Sequence, residues 1–237
     1  MDKESQISAQ NDMPIGFPIS FQELREVHIL YTCAIREICA KLENLSQEFE
    51  LHNDRNPIQH IKHRLKTPES IRNKMMRKQI PLEFGMMQRE ILDIAGVRVI
   101  CSYVEDIYKI SGLLIQQDDI TVIKKKDYIV SPKPNGYRSY HITVGIPVYL
   151  SKETKVVPVE IQMRTLAMDF WASLEHQLRY KPEMEISDSV RNRLTSLAGD
   201  MFKADVEIQQ IYQEIIYAAS SSSAHSGAVV RLDNTPA

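Results

Sequence analysis

No run in this 237-residue chain approaches the roughly 20 apolar residues that a membrane-spanning helix requires. The N-terminal MDKESQISAQND has no apolar core of the kind a secretory signal carries. Cysteine is scarce: Cys33, Cys39 and Cys101 are odd in number and show neither a CxxC nor a Cys/His ligand spacing. That pattern argues against a disulfide framework or a thiolate metal centre and fits reduced thiols in helix or strand. Net charge is also nearly absent, since 29 Lys and Arg face 31 Asp and Glu. No overall field then draws the protein to nucleic acid or membrane, and any function for charge must come from local clustering. The expectation is a soluble cytoplasmic protein with no membrane partner. What is present is an apolar fraction of 43%, enough for a sizeable core in a single domain.

The ends read as loose: a polar leader over 1–19 and a Ser-rich, disordered tail over 220–237, around one domain spanning 20–219. Ser20-Phe21-Gln22-Glu23 is a capping-box pattern. Leu24, Val27, Tyr31, Ala34, Ile38, Leu42, Leu45 and Phe49 follow at helical spacing, predicting one helix over 20–51. Thr67-Pro68 opens a second helix running to 79, with proline at the tolerated first position. Pro81 restarts the chain for a short helix reaching 92. A buried strand is expected over 97–103, a helix over 105–117 and a strand over 120–126 that ends in Lys124, Lys125 and Lys126. Segments 140–150 and 156–164 read as an antiparallel hairpin, and 165–180 and 186–218 as helices. The fold class is α+β, a mixed sheet flanked by N- and C-terminal helices.

Charge is concentrated in HIKHRLKTPESIRNKMMRK, residues 60–78, where seven Lys and Arg face Glu69 alone. Arg64 and Lys66 precede a helix N-terminus, whose free N–H groups already favour anions. Ser70 lies in the first turn, and Lys74 and Lys78 share one helical face. Polyphosphate fits such a cluster; RNA backbone fits the charge equally well. Asp93-Ile94-Ala95-Gly96-Val97-Arg98 places a carboxylate at the entrance of a buried strand, with Gly96 allowing close backbone approach. Lys133-Pro134-Asn135-Gly136-Tyr137-Arg138-Ser139-Tyr140-His141 is a turn loaded with an aromatic ring and cations, a combination suited to a base and its phosphates. In Val159-Glu160-Ile161-Gln162-Met163-Arg164, period 2 separates an apolar face from Glu160, Gln162 and Arg164. Two carboxylates on core strands, Asp93 and Glu160, can hold Mg²⁺ beside substrate phosphates, and metal and cations together can stabilise phosphoryl transfer. Trp171 reads as a core side chain. Glu175 and His176 lack the spacing of a metal pair.

The ordered succession RLKTPESIRNKM, DIAGVRVICSY, PKPNGYRSYH and VPVEIQMRTLAMDFWASLEHQLRYK resembles the RelA/SpoT-type alarmone synthetase domain over residues 55–181. The chain lacks the His-Asp motifs of the multidomain members' hydrolase domain, so the resemblance is to a small, stand-alone synthetase. It implies a nucleotidyltransferase-like fold and a Mg²⁺-dependent reaction in which the 3′-hydroxyl of GTP or GDP attacks the β-phosphorus of ATP and AMP leaves. Carried over by position, it implies that Arg64 and Arg98 sandwich adenine and that Lys66, Ser70, Lys74 and Lys78 hold ATP phosphates. Asp93 and Glu160 become the metal and catalytic carboxylates. Tyr137 becomes the ring that stacks on guanine, with Lys133, Asn135, His141 and Gln162 contacting the guanosine nucleotide. A homotetramer is implied as well. His63 stands where many relatives have Gly or Ser. Another acceptor (an adenosine nucleotide or tRNA) and a non-enzymatic RNA-binding role are the rival readings. The guanine-loop motif and the pair of carboxylates argue against each in turn.

Overall fold

The computed structural model describes residues 20–52, 55–179 and 187–226. The predicted leader and the stretch 227–237 lie outside them. Helix α1 (Phe21–His52) begins at the reciprocal cap read from the sequence: Ser20 N–H donates to Glu23 Oε2 at 2.7 Å, and Glu23 N–H donates to Ser20 Oγ at 3.2 Å. Its apolar stripe is deeply buried, with Ala34, Ile38 and Leu42 fully inaccessible.

Next come β1 (Ile58–Leu65), α2 (Pro68–Arg77), α3 (Phe84–Glu90), β2 (Ala95–Cys101), α4 (Val104–Ile115) and β3 (Thr121–Asp127). Then β4 (Tyr140–Tyr149), β5 (Thr154–Thr165), α5 (Leu166–Arg179) and α6 (Asp188–Ser226) complete the order. The strands form one mixed sheet in the order β1-β2-β5-β4-β3, with β2 and β5 parallel and the other pairs antiparallel. The expected β4–β5 hairpin is present.

Two elements depart from expectation. Strand β1 was not foreseen. Helix α6 continues past 218 to Ser226, so the serines from Ser220 to Ser223, read as the start of a disordered tail, lie in helical backbone.

The sheet has two chemically distinct faces. Val97, Val99, Ile142, Val144, Val159, Ile161 and Met163 are all buried and join the core that includes α1 and α4. The polar face follows from register, because residues directly opposite on paired strands point the same way. One row across it reads Lys62, Arg98, Gln162, His141, Lys126. The next reads Arg64, Gly96, Glu160, Thr143, Lys124. Candidates from four distant segments thus become neighbours on one sheet surface.

Candidate active site

Thr67 caps α2, its Oγ1 accepting from Ser70 N–H at 3.2 Å, with Pro68 behind it. That cap fixes α2 so that Lys66, just before it, and Lys74, within it, converge on a single carboxylate. Lys66 Nζ lies 2.7 Å and Lys74 Nζ 2.5 Å from Asp93 Oδ2. The other oxygen, Asp93 Oδ1, is buried and makes no hydrogen bond. Burial pushes this carboxyl up, but the two ammonium groups outweigh it and hold Asp93 below the usual aspartate range.

Asp93 and Glu160 line one basin of about 490 Å³ with Lys74, Lys78, Lys124, Lys126, His141 and Thr143. Burial also acts to raise Glu160, and hydrogen bonds from His141 and Gln162 outweigh it, holding Glu160 below the usual glutamate range. Gln162 Nε2 donates to Glu160 Oε2 at 2.8 Å, and His141 Nδ1 lies 3.5 Å from Oε1. Among the described residues, no group of three or more His, Cys, Asp and Glu forms a metal cage.

Beside the basin, Arg64, Arg98, Gln162, Lys62, His63 and Gly96 line a second cleft of about 420 Å³. Gly96 lies beneath Arg64. A Cβ there would meet Arg64 Cγ at 3.6 Å, an ordinary contact, so the close approach is by a side chain and space does not demand glycine.

The 133–137 loop is held by Gly136 N–H donating to Lys133 O at 2.8 Å and Lys133 N–H donating to Tyr137 O at 3.1 Å. Gly136 has φ +86°, a left-handed conformation that glycine adopts readily. Asn135 is occupied with the loop itself: Oδ1 accepts from Tyr137 N–H at 3.3 Å and Nδ2 donates to Glu175 Oε1 at 3.0 Å. Lys133 Nζ sits 4.7 Å from the Tyr137 ring centre. The Tyr137 hydroxyl accepts from Arg164 Nη2 at 2.8 Å and lies 2.9 Å from His141 Nε2. Arginine can only donate, so the hydroxyl proton is free for Nε2, and the Nδ1 proton of His141 faces Glu160.

A family model described as a region found in RelA / SpoT proteins matches residues 63–185. The chain is 42% identical over 187 residues to GTP pyrophosphokinase YwaC of Bacillus subtilis, covering 79% of this chain and 89% of that one.

The chain belongs to the RelA/SpoT family.

A second RelA/SpoT relative, GTP pyrophosphokinase YjbM of Bacillus subtilis, is 39% identical over 194 residues, covering 81% of this chain and 90% of that one. Among solved structures, small alarmone synthetase 1 from Bacillus subtilis, bound to its product pppGpp, superposes with a TM-score of 0.76 at 36% identity. The match covers 82% of this chain and 98% of that one.

Within this RelA/SpoT frame, the predicted residues fall into three neighbouring groups: Arg64 and Arg98 in the cleft, Lys66, Lys74, Lys78, Asp93 and Glu160 around the basin, and Lys133, Tyr137 and His141 at the loop. Gln162 lines the cleft and reaches Glu160. Ser70 is exposed at the cap of α2, receiving a 2.9 Å hydrogen bond from Thr67. Trp171 is a core side chain as expected, 4% exposed, with Nε1 donating to Leu194 O. Sequence reasoning gave no site role to Lys124 and Lys126, which ended a strand, or to Arg164, Asp169 and Glu175. The period-2 placement of Arg164 beside Glu160 and Gln162 was the available signal. For Asp169 and Glu175 on α5 there was none, because their importance depends on what the helix packs against.

Proposed function

We infer that this protein is a (p)ppGpp synthetase, transferring pyrophosphate from ATP to the 3′-hydroxyl of GTP or GDP and releasing AMP. The observation that carries the reading is the convergence of Lys66, Lys74, Lys78, Lys124 and Lys126 about two ionised carboxylates, in a chain whose relatives are GTP pyrophosphokinases. Five cations there face three acids, Asp93, Glu160 and the exposed Glu90, and the surplus of positive charge favours polyphosphate.

In this reading Arg64 and Arg98 clamp adenine, and Lys66, Lys74, Lys78 and the Ser70 hydroxyl bind ATP phosphates. Tyr137 offers a face to guanine, while Lys133, His141, Gln162 and Asn135, the last through its hold on the loop, set the acceptor. The 3′-oxygen forms a bond to the β-phosphorus as the bond to the bridging oxygen on the α-phosphate breaks. AMP departs with that electron pair. Glu160, ionised and oriented by His141 and Gln162, takes the hydroxyl proton. The lysines stabilise charge on the equatorial oxygens.

Asp93 and Glu160 are the residues that would hold Mg²⁺. The fit is supported by the buried, hydrogen-bond-free Asp93 Oδ1 and by hard oxygen donors, with phosphates and water left to complete the shell. When bound, Mg²⁺ supplies additional positive charge at the transferred group.

A homotetramer in the cytoplasm completes the proposal. It is supported by exposed apolar residues at helical spacing, Phe170, Leu174 and Leu178 on α5 and Ile208, Ile211 and Ile215 on α6. No described helix is long and apolar enough to cross a membrane. The test of activity uses Mg²⁺, γ-labelled ATP and either GTP or GDP, followed by nucleotide separation. Label appearing in guanosine penta- or tetraphosphate with equimolar AMP is expected. ATP binding without transfer to either guanosine nucleotide refutes the acceptor assignment.

A further inference from the structure

A chain of polar contacts joins the two proposed substrate sites through residues to which neither has been assigned. It starts in the cleft at Arg98, whose Nη1 lies 3.3 Å from Asp169 Oδ1. The same carboxylate oxygen lies 2.9 Å from Arg164 Nη1. Arg164 Nη2 then donates to the Tyr137 hydroxyl, which reaches His141 Nε2, and His141 faces Glu160.

Two guanidinium groups therefore share one oxygen. Neither has its donors fully met, since Nε of Arg98 and Nε of Arg164 are both buried without a hydrogen bond. Arg164 is the more dependent partner. It is 5% exposed, whereas the Arg98 side chain is 31% exposed and opens to the cleft. A guanidinium is planar and its N–H groups keep a fixed fork. Whatever holds Nη1 of Arg164 also aims Nη2 at Tyr137. How firmly the Tyr137 ring is oriented thus depends on how much of Asp169 is left to Arg164.

We propose that Asp169 and Arg164 are positioning residues that couple the ATP cleft to the guanosine ring, so that each substrate strengthens the binding of the other. The proposal rests on the assignment of Arg98 to adenine and Tyr137 to guanine. The switching element is the shared oxygen. An aromatic ring stacked on Arg98 meets that cation with its π face and draws it from Asp169. The carboxylate then serves Arg164 alone, which secures the Tyr137 hydroxyl and fixes the ring against which guanine packs. Linkage makes the effect reciprocal: a guanine that fixes Tyr137 favours the state in which Arg98 is released to adenine.

The test measures GDP affinity by calorimetry with and without a saturating ATP analogue whose α and β phosphorus atoms are joined by methylene, which blocks transfer. For the unaltered protein, the analogue should lower the GDP Kd by about 5-fold or more. In Asp169→Asn, nearly the same size and unable to balance a cation, the ratio should fall toward 1. Tyr137→Phe keeps the ring, removes the hydroxyl and should lose the ratio in the same way, which covers the case in which Asp169→Asn does not fold. A purely structural ion pair would lower thermal stability in Asp169→Asn and leave the ratio intact; that result overturns the proposal, as does a ratio of 1 in the unaltered protein. Arg98→Ala separates the two levels. If it leaves the affinity for the analogue unchanged, the substrate assignment is wrong and the coupling falls with it. If it weakens analogue binding while Asp169→Asn keeps full coupling, only the coupling is wrong.

Discussion

Replacing Gly136 by alanine should cripple acceptor binding while leaving the ATP cleft intact. The residue has φ +86°, and a Cβ there would lie 2.6 Å from Ala198 Cβ on α6, 3.3 Å from Thr195 O and 3.5 Å from Thr195 Cα. Two costs combine. Left-handed backbone penalises an L side chain by about 1–2 kcal/mol. Overpacking against a fixed helix adds about 1–3 kcal/mol. The loop can escape most of the clash by lifting off α6, so the loss should appear as a displaced Tyr137 and not as global unfolding. If about 2 kcal/mol is expressed this way, KM for GTP rises about 30-fold, at about 1.4 kcal/mol per decade. KM for ATP should change little. Ala198→Gly removes the nearest obstructing methyl group. Combined with Gly136→Ala it should recover part of the loss, though not the conformational part nor the contact with Thr195 O. The assay is steady-state synthesis with each substrate varied, across the two single variants and the double. Strict additivity, or an unaltered GTP KM in Gly136→Ala, would show that contact with α6 does not position the loop.

Other expectations follow from the same structure. Asp93→Asn should reduce synthesis by about 100-fold or more, since it removes the carboxylate that two lysines and the proposed Mg²⁺ share; near-normal label transfer would refute that role. Arg55→Met should destabilise the fold by about 3 kcal/mol, read by urea unfolding. It strands Asp106, which is 2% exposed and bound by both Arg55 Nη groups at 2.7 and 2.8 Å. Both KM values should stay unchanged. Asp205 lies against Thr165 Oγ1 at 2.5 Å, and burial raises its carboxyl, only partly offset by that hydrogen bond. A raised carboxyl favours folding below the ordinary value of about 3.9 and loses that contribution as pH climbs through the raised value. Asp205→Asn should therefore melt higher than the parent at pH 7.5, by about 2–4 °C per kcal/mol gained, with the difference closing near pH 4. An equal shift at both pH values would rule out ionisation as the cause.

The helices were legible because their apolar residues repeat at helical spacing and their caps are explicit, as at Ser20 and Thr67. Strand β1 was not, and the reason is geometric. Its apolar residues Ile58, Ile61 and Leu65 fall three and four apart, a helix-like interval. A bulge between Ile58 and His60 shifts the register and restores a strand. Lys62 and Arg64 then face the polar side, where a charge count had shown only a basic run. The site was legible as a set of residue types; its assembly was not. Glu160 stands between Gly96 and Thr143 only because β2 and β5 run parallel while β4 and β5 run antiparallel, and no local pattern carries such pairing. Asp169 and Glu175 were hidden for a related reason: each is an ordinary acidic residue on a helix until Arg164 or Asn135 meets it.

Among the described residues, the order β1-β2-β5-β4-β3 leaves β1 and β3 with one unpaired side each. Strand β3 is exposed along most of its length and includes Val122 and Ile123, at 38% and 47% accessibility. A bare edge of this kind is a template for pairing with another chain. The lysines at 124, 125 and 126, and Lys62 and Arg64 on the opposite border, make both margins mutually repellent. Neutralising them to probe phosphate binding would also strip the sheet of its protection, and soluble yield would fall along with activity. The charge that welcomes a nucleotide is also what keeps one copy of the sheet from adding itself to the next.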